Sequence, residues 1–242
     1  MCGRFTLTRS GLSGLAGALG ATFEPDDAAL YRPRYNIAPT DAHWIVRAKH
    51  EDRHVLPAKW GLVNSWAPDA KGAFKQINAR SETVLTRPAF RDAFERRRCV
   101  VPADGFFEWT GTKQARRPIW FHPADGELML FAGLYESWLD PKSATKIRTF
   151  TVLTTEANAI VAPVHDRMPV ILPPERVDEW LFVPAQDAAA HARGVHALLL
   201  PAADGTLVAT EVSRRVNSVA NDDAACLAPP EADEAIAAPR LL

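Results

Sequence analysis

The chain has 242 residues, 47% of them hydrophobic and 24% charged, with a formal net charge of −1. These are ordinary globular proportions, enough for a sizeable core, and they exclude a chain that is disordered throughout or basic throughout. No run approaches about eighteen uncharged apolar residues and no basic segment leads into an apolar one at the start, so neither a membrane span nor a signal peptide is expected and the expected location is the cytoplasm. Cys2, Cys99 and Cys226 are too few and too scattered for a disulfide framework or a zinc site, so no metal and no cofactor are expected.

The chain opens Met1-Cys2-Gly3-Arg4-Phe5. Once Met1 is removed, Cys2 carries an amine of pKa about 7.7 to 8.0 beside a thiol of about 8.5, and either group can attack a carbonyl near neutral pH. With an aldehyde the amine gives an imine and the sulfur closes a five-membered thiazolidine. With Met1 retained, Cys2 reads as a small buried residue before a first strand.

Residues 5–7 read as a short strand, and 10–19 carry apolar residues at helical spacing despite their glycines. A loop over 20–33 leads to Tyr35-Asn36-Ile37-Ala38-Pro39. Residues 44–48 and 55–60 read as a hairpin joined by the charged run 49–53, followed by Trp60-Gly61-Leu62 and, in irregular chain, Trp66. After Ile77-Asn78-Ala79-Arg80-Ser81-Glu82-Thr83 comes a helix over 88–97 with Pro88 in its first turn, then a strand over 99–101. Phe106-Phe107-Glu108-Trp109 follows a turn, and residues 119–122 and 128–134 read as a hairpin across Asp125-Gly126. Residues 150–154 form a strand, 156–161 a brief helix, 174–182 an amphipathic helix with Trp180 inward, and 196–200 and 207–216 short strands. With no βαβ rhythm and no repeats, the expectation is one α+β domain over residues 2–220, a mostly antiparallel, barrel-like sheet with peripheral helices. An acidic, Ala- and Pro-rich tail over 221–242 is expected to be loosely held.

Basic residues gather at Arg4 and Arg9, at Arg32 and Arg34, over 87–98 and over 113–117, while acids concentrate over 24–27 and 222–234. That distribution suits a neutral protein with one basic groove and equally a set of solvated loops. Glu108 stands inside an aromatic strand, where burial raises a carboxyl pKa towards the range useful in acid and base chemistry; strand alternation could equally turn it outward. His165, in a loop stiffened by Pro163 and Pro169, has the side chain that titrates nearest neutrality. Asn78 and Arg80 share a face of any extended segment, where an amide can orient a polar group and a guanidinium can neutralise a phosphate. Trp60, Trp66 and Pro39 offer apolar surfaces for stacked bases, or for a core.

Taken together and in order, Met-Cys-Gly-Arg-Phe, Tyr35-Asn36-Ile37-Ala38-Pro39, Trp60-Gly61-Leu62, the stretch from Ile77 to Thr83, Arg98-Cys99 through Phe107-Glu108-Trp109, Ala132-Gly133-Leu134, Val164-His165-Asp166-Arg167-Met168-Pro169 and Val216-Asn217 resemble the SOS response-associated peptidase (SRAP) family. The resemblance covers about residues 2–220. It implies a sensor of abasic sites in single-stranded DNA that forms a covalent DNA-protein crosslink; the chain is expected to be a monomer, with replication-fork proteins as further partners. It also implies roles residue by residue. Cys2 is the nucleophile, Asn78 holds its amine, Glu108 exchanges protons and His165 assists ring opening and imine formation. Arg4, Arg80 and Arg167 meet phosphates, with Trp66 and Pro39 near a bend in the DNA.

Two other functions fit the same residues. One is a cysteine peptidase, a hydrolase using Cys2, His165 and Glu108 on itself or on other chains; lyase-type activity at the abasic sugar belongs with the first reading. The other is a single-strand binding module using Arg4, Arg80 and Trp66 without covalent chemistry.

Overall fold

The computed structural model describes residues 2–112 and 115–231. In chain order its strands are β1 (Phe5–Leu7), β2 (Ala21–Thr22), β3 (Arg34–Ile37), β4 (Ala42–Lys49), β5 (Asp52–Trp60), β6 (Asn78–Arg80), β7 (Arg98–Ala103), β8 (Gly105–Thr110), β9 (Arg117–Pro123), β10 (Met129–Leu139), β11 (Lys146–Glu156), β12 (Arg167–Pro169) and β13 (Leu207–Glu211). The helices are short: α1 (Leu12–Ala18), α2 (Arg91–Arg96), α3 (Val177–Leu181) and α4 (Ala188–Val195).

β4 pairs antiparallel with β5 and β7, and β10 antiparallel with β7 and β11. A parallel pairing of β11 with β5, at Thr149 opposite Lys59 and Phe150 opposite Trp60, closes these five strands into a barrel. A second, antiparallel sheet runs β13-β9-β8-β1-β3. The α+β, mostly antiparallel, barrel-like expectation is therefore met, and closure removes the exposed edges that an open sheet would leave.

Phe5 pins the amino terminus to this frame. Its ring is fully buried and meets His43, Trp60 and Phe131 edge to face at centroid distances of 4.8, 4.9 and 6.0 Å. Burying a phenylalanine stabilises by about 2 to 3 kcal/mol, so the residues just ahead of Phe5 hang from a fixed point. β8 is covered on both faces. Phe106 belongs to the main core, whereas Phe107 packs with Val212, Val216 and Cys226 in a smaller cluster.

Several local expectations change. Asp125-Gly126 is a turn, with Gly126 at φ 72°, but β9 and β10 do not form a hairpin. β9 pairs with β8 and β13, and the edges of β10 are taken by β7 and β11. Glu156 ends β11 and residues 159–161 form a turn instead of a helix, because the Asn158 side chain binds the Val161 N–H and the Ala202 carbonyl and competes with helical bonding. Residues 196–200 are not a strand; the 3₁₀ turn His196–Leu198 continues α4, whose start is capped by Asp187 accepting from the Ala190 N–H. Trp180 does point inward on α3, fully buried.

The segment from residue 221 is tied down where the sequence suggested slack. Asp222 accepts from the backbone N–H groups of Tyr35 and Asn36 at 2.7 and 3.0 Å and from Arg34, and Cys226 is buried. Residues 232–242 of the expected tail, and Lys113 and Gln114 of the basic run, lie outside the described residues. Arg98, grouped with the solvated basic run, is a core residue whose guanidinium donates to the Trp180 and Phe94 carbonyls; burial lowers its pKa to about 10. Among the described residues no helix is long and apolar enough to cross a membrane.

Candidate functional site at the amino terminus

β1 lies beside β8 with Phe5 opposite Phe106, and the Phe107 N–H donates to the Arg4 carbonyl at 2.9 Å. The chain ahead of β1 therefore runs along the Phe107-Glu108 end of β8, which brings Cys2 into the field of Glu108. Glu108 is only 5% exposed. Burial pushes its carboxyl up to about 7, the ammonium of the chain's amino terminus works against that rise, and Asp166 adds to it. Cys2 is fully buried, its Sγ 3.6 Å from the Arg4 carbonyl. Its thiol pKa is raised, first by burial and then by the Glu108 charge.

Asn78 reaches the same place from the other sheet. β6 runs parallel to β11, with Asn78 opposite Val152, and Asn78 Nδ2 donates to the Cys2 carbonyl at 2.7 Å. Among the described residues the Asn78 amide oxygen is buried without a hydrogen-bond partner. His165 arrives on the loop between β11 and β12. The Arg167 N–H donates to its Nδ1 at 3.0 Å, and Asp166 Oδ1 lies 3.0 Å from the same nitrogen. Burial and then the nearby amino terminus lower the His165 pKa, so the ring is neutral near pH 7. Cys2, Asn78, Glu108 and His165 thus gather around the amino terminus from four separate parts of the chain.

The other expected residues are placed differently. Arg4 Nη1 donates to Asn36 Oδ1 at 2.7 Å and to the Val216 carbonyl at 3.0 Å, with its guanidinium 5.7 Å from the Trp109 ring centroid. Arg80 is exposed two residues beyond Asn78, and Pro39 is half-buried. Trp66 is 66% exposed, on the loop that leaves the barrel through Gly61. Gly61 has φ 125°, and a Cβ there would come within 2.8 Å of the Ala73 carbonyl oxygen, so the turn requires glycine. Arg167, expected on a phosphate, is buried with its guanidinium bound to Glu82 and to the Thr154 carbonyl. Trp60 belongs to the core, stacked on Phe150 at 6.3 Å.

Sequence reasoning missed one partner, Asn36, and passed over one exposed aromatic, Phe74. Asn36, inside Tyr35-Asn36-Ile37, accepts from Arg4 and donates through Nδ2 to the Val216, Ser218 and Asn221 carbonyls. Phe74 is 58% exposed and flanked by Lys71 and Lys75 near Trp66 in sequence; an aromatic between lysines was the available signal. Among the described residues no group of three or more His, Cys, Asp or Glu side chains is arranged to hold a metal ion.

Comparison with known proteins identifies the family. Residues 1–219 match the family described as SOS response associated peptidase (SRAP). The chain is 36% identical over 229 residues to the abasic site processing protein YoaM of Bacillus subtilis, covering 94% of this chain and 97% of the relative. It is 33% identical to the abasic site processing protein HMCES of Gallus gallus, over 83% of this chain and 67% of that one. In fold it matches a crystal structure of a protein from Bacteroides thetaiotaomicron with a TM-score of 0.82 at 24% identity, covering 94% of this chain and 99% of the other. The chain belongs to the SOS response-associated peptidase (SRAP) family.

Proposed function

We propose that this protein processes abasic sites in DNA by covalent capture in single-stranded DNA, with Cys2 as the chain's first residue after loss of Met1. The ring-opened abasic sugar presents an aldehyde. The Cys2 amine adds to its carbon, and the carbonyl oxygen leaves as water to give an imine. The sulfur then forms a bond to the imine carbon while the thiol proton passes to the imine nitrogen. The product is a thiazolidine; one water is released and nothing is oxidised or reduced.

The observation that carries this reading is the Asn78 bond to the Cys2 carbonyl at 2.7 Å, beside a carboxyl raised to about 7. An amide on the carbonyl fixes the Cys2 backbone, so an α-amine at Cys2 has a defined direction of attack. A carboxyl titrating near neutrality can take a proton from the amine and return one to the departing oxygen. His165, neutral near pH 7, is a second proton carrier for ring opening. The raised Cys2 thiol pKa argues for the amine attacking first and the sulfur second. It also argues against the cysteine-peptidase reading, which needs a thiolate of depressed pKa. Arg4 and Arg80 supply phosphate contacts, and Trp66 with Pro39 an apolar surface at the bend. An abasic nucleotide has no base to unstack, so selectivity comes from the aldehyde.

The test is incubation with single-stranded DNA carrying one abasic site, followed by denaturing electrophoresis and intact mass. The expected product is the mass of protein lacking Met1 plus DNA minus one water. Cys2→Ala abolishes it while leaving non-covalent binding, and His165→Ala slows it by about 10². A denaturation-resistant adduct that survives Cys2→Ala overturns the assignment. Equal, reversible binding of intact and abasic strands with no adduct identifies a binding module instead.

A further inference from the structure

The stretch Asn78-Ala79-Arg80-Ser81-Glu82-Thr83 has so far contributed Asn78 and Arg80 to the site. Glu82 sits in the 3₁₀ turn Ser81–Thr83 that follows β6. Both of its carboxylate oxygens accept from Arg167, Oε1 from Nη1 at 2.5 Å and Oε2 from Nη2 at 3.0 Å. Arg167 Nη2 also donates to the Thr154 carbonyl at 2.6 Å. A two-pronged pairing of this kind fixes the plane of the guanidinium as well as its position. The pairing with Arg167 holds the Glu82 carboxyl below its ordinary pKa, so Glu82 is the charged partner throughout the neutral range.

The consequence falls on His165. The backbone N–H of this braced Arg167 donates to His165 Nδ1. A ring nitrogen that accepts a hydrogen bond holds no proton, so the neutral imidazole keeps its proton on Nε2. Asp166 Oδ1 competes for the same Nδ1 from 3.0 Å and favours a proton there. The charged groups acting on the ring are Asp166, Arg167 and the chain's amino terminus. The outcome therefore depends on whether the Arg167 backbone stays in place.

We propose that Glu82 is a positioning residue for the capture reaction: by gripping the Arg167 guanidinium it keeps the Arg167 N–H on His165 Nδ1 and holds His165 as its Nε2–H tautomer against the pull of Asp166. This rests on the reading of Cys2 as the capturing residue, and it gives Arg167 a role as a brace for His165.

The test reads the tautomer directly. Long-range ¹H–¹⁵N spectra of the imidazoles are recorded at pH 8 on the full chain, with His165→Ala assigning the signal, for the wild type, Glu82→Gln, Glu82→Ala and Glu82→Asp. Wild-type His165 is expected to be Nε2–H. In Glu82→Gln and Glu82→Ala, Nδ1–H gains population and capture of an abasic single strand slows about tenfold. Affinity for an intact strand stays the same, and Glu82→Asp restores part of both the tautomer and the rate. The backbone ¹H–¹⁵N spectrum identifies any variant that fails to fold, and the isosteric Glu82→Gln is the variant that decides. An unchanged tautomer in folded Glu82→Gln overturns the proposal. So does tighter binding of the intact strand with an undiminished capture rate, which would mean that Glu82 merely masks a phosphate ligand. If the wild type forms no adduct at all, the capture reading fails, while the tautomer spectra still report whether Glu82 controls His165.

Discussion

Asn78 holds the backbone of Cys2 from 76 residues away, its Nδ2 donating to the Cys2 carbonyl at 2.7 Å, and this single bond ties the amino terminus to β11 through β6. Asn78→Ala removes the donor and leaves the Cys2 carbonyl to find another partner. A lost bond of this kind costs about 1 to 2 kcal/mol, so capture of an abasic strand should slow roughly 5- to 30-fold with affinity for an intact strand unchanged. Asn78→Asp should be worse, because a carboxylate oxygen then faces the carbonyl oxygen. Single-turnover kinetics on both variants measure this, and an Asp variant as fast as wild type would remove Asn78 from the site.

Glu108 links stability to pH in a direction opposite to that of most carboxylates. Its folded pKa of about 7 lies above the ordinary 4.5, so between those values the folded chain holds a proton that the unfolded chain releases. Its contribution is full below about 4.5, falls as pH rises through 7, and is flat above. Glu108→Gln should therefore stabilise the protein at pH 8 by on the order of 2 kcal/mol and leave it unchanged at pH 4, while slowing capture by about 10². Thermal melts at the two pH values give the answer; an equal shift at both would mean that packing, and not ionisation, sets the effect.

The sequence made the Glu108 strand legible but not its environment. Alternation places Phe107 and Trp109 on one face of β8 and Glu108 with Phe106 on the other, and from sequence only one face could be called dry. Val212, Val216 and Cys226 cover the Phe107 face from the far end of the chain, so both faces are buried. Long-range pairing was equally out of reach. The Asp125-Gly126 turn is real, yet nothing local says that β7 and β11 have already taken both edges of β10. α4 was missed because Ala-rich residues 188–195 carry little apolar contrast, and Arg98 was misread because its neighbours Arg96 and Arg97 suggest solvent. Asn78, Glu108 and His165 stood out in the sequence for different reasons: the first by its place in the stretch from Ile77 to Thr83, the second as a carboxylate in an aromatic strand, the third as a histidine between two prolines.

Arg80 and Trp66 should fail differently when DNA binding is measured without capture, in a Cys2→Ala background. Arg80 is an exposed charge, so Arg80→Ala should lower the slope of log K against log salt by about 0.7, whatever the strand's sequence. Trp66→Ala removes an exposed stacking surface and should weaken binding by about 1 to 3 kcal/mol at every salt concentration, with the slope kept. Salt titrations of fluorescence anisotropy separate the two. A Trp66 effect that disappears at high salt would place that ring away from the bases.

Asp222 should behave as the clasp of the carboxyl-terminal segment. Its side chain, 13% exposed, accepts from the Tyr35 and Asn36 N–H groups and from Arg34, with Arg32 at 3.2 Å. Asp222→Ala leaves two backbone donors and a partly buried guanidinium without this partner, a cost of about 2 to 4 kcal/mol. The loss should spread in two directions. Towards the carboxyl end, the 3₁₀ turn Ala224–Leu227 loosens and the buried Cys226 thiol becomes open to maleimide, which peptide mass mapping distinguishes from Cys2 and Cys99. Towards the site, Asn36 loses the carbonyls of Val216, Ser218 and Asn221 that fix its amide, so Arg4 loses a positioned acceptor and affinity for single-stranded DNA falls. Asp222→Asn, which still accepts from the backbone N–H groups, should fall between the two. If Cys226 labels no faster in folded Asp222→Ala than in wild type, the segment is held by the Phe107 cluster alone and the clasp is incidental.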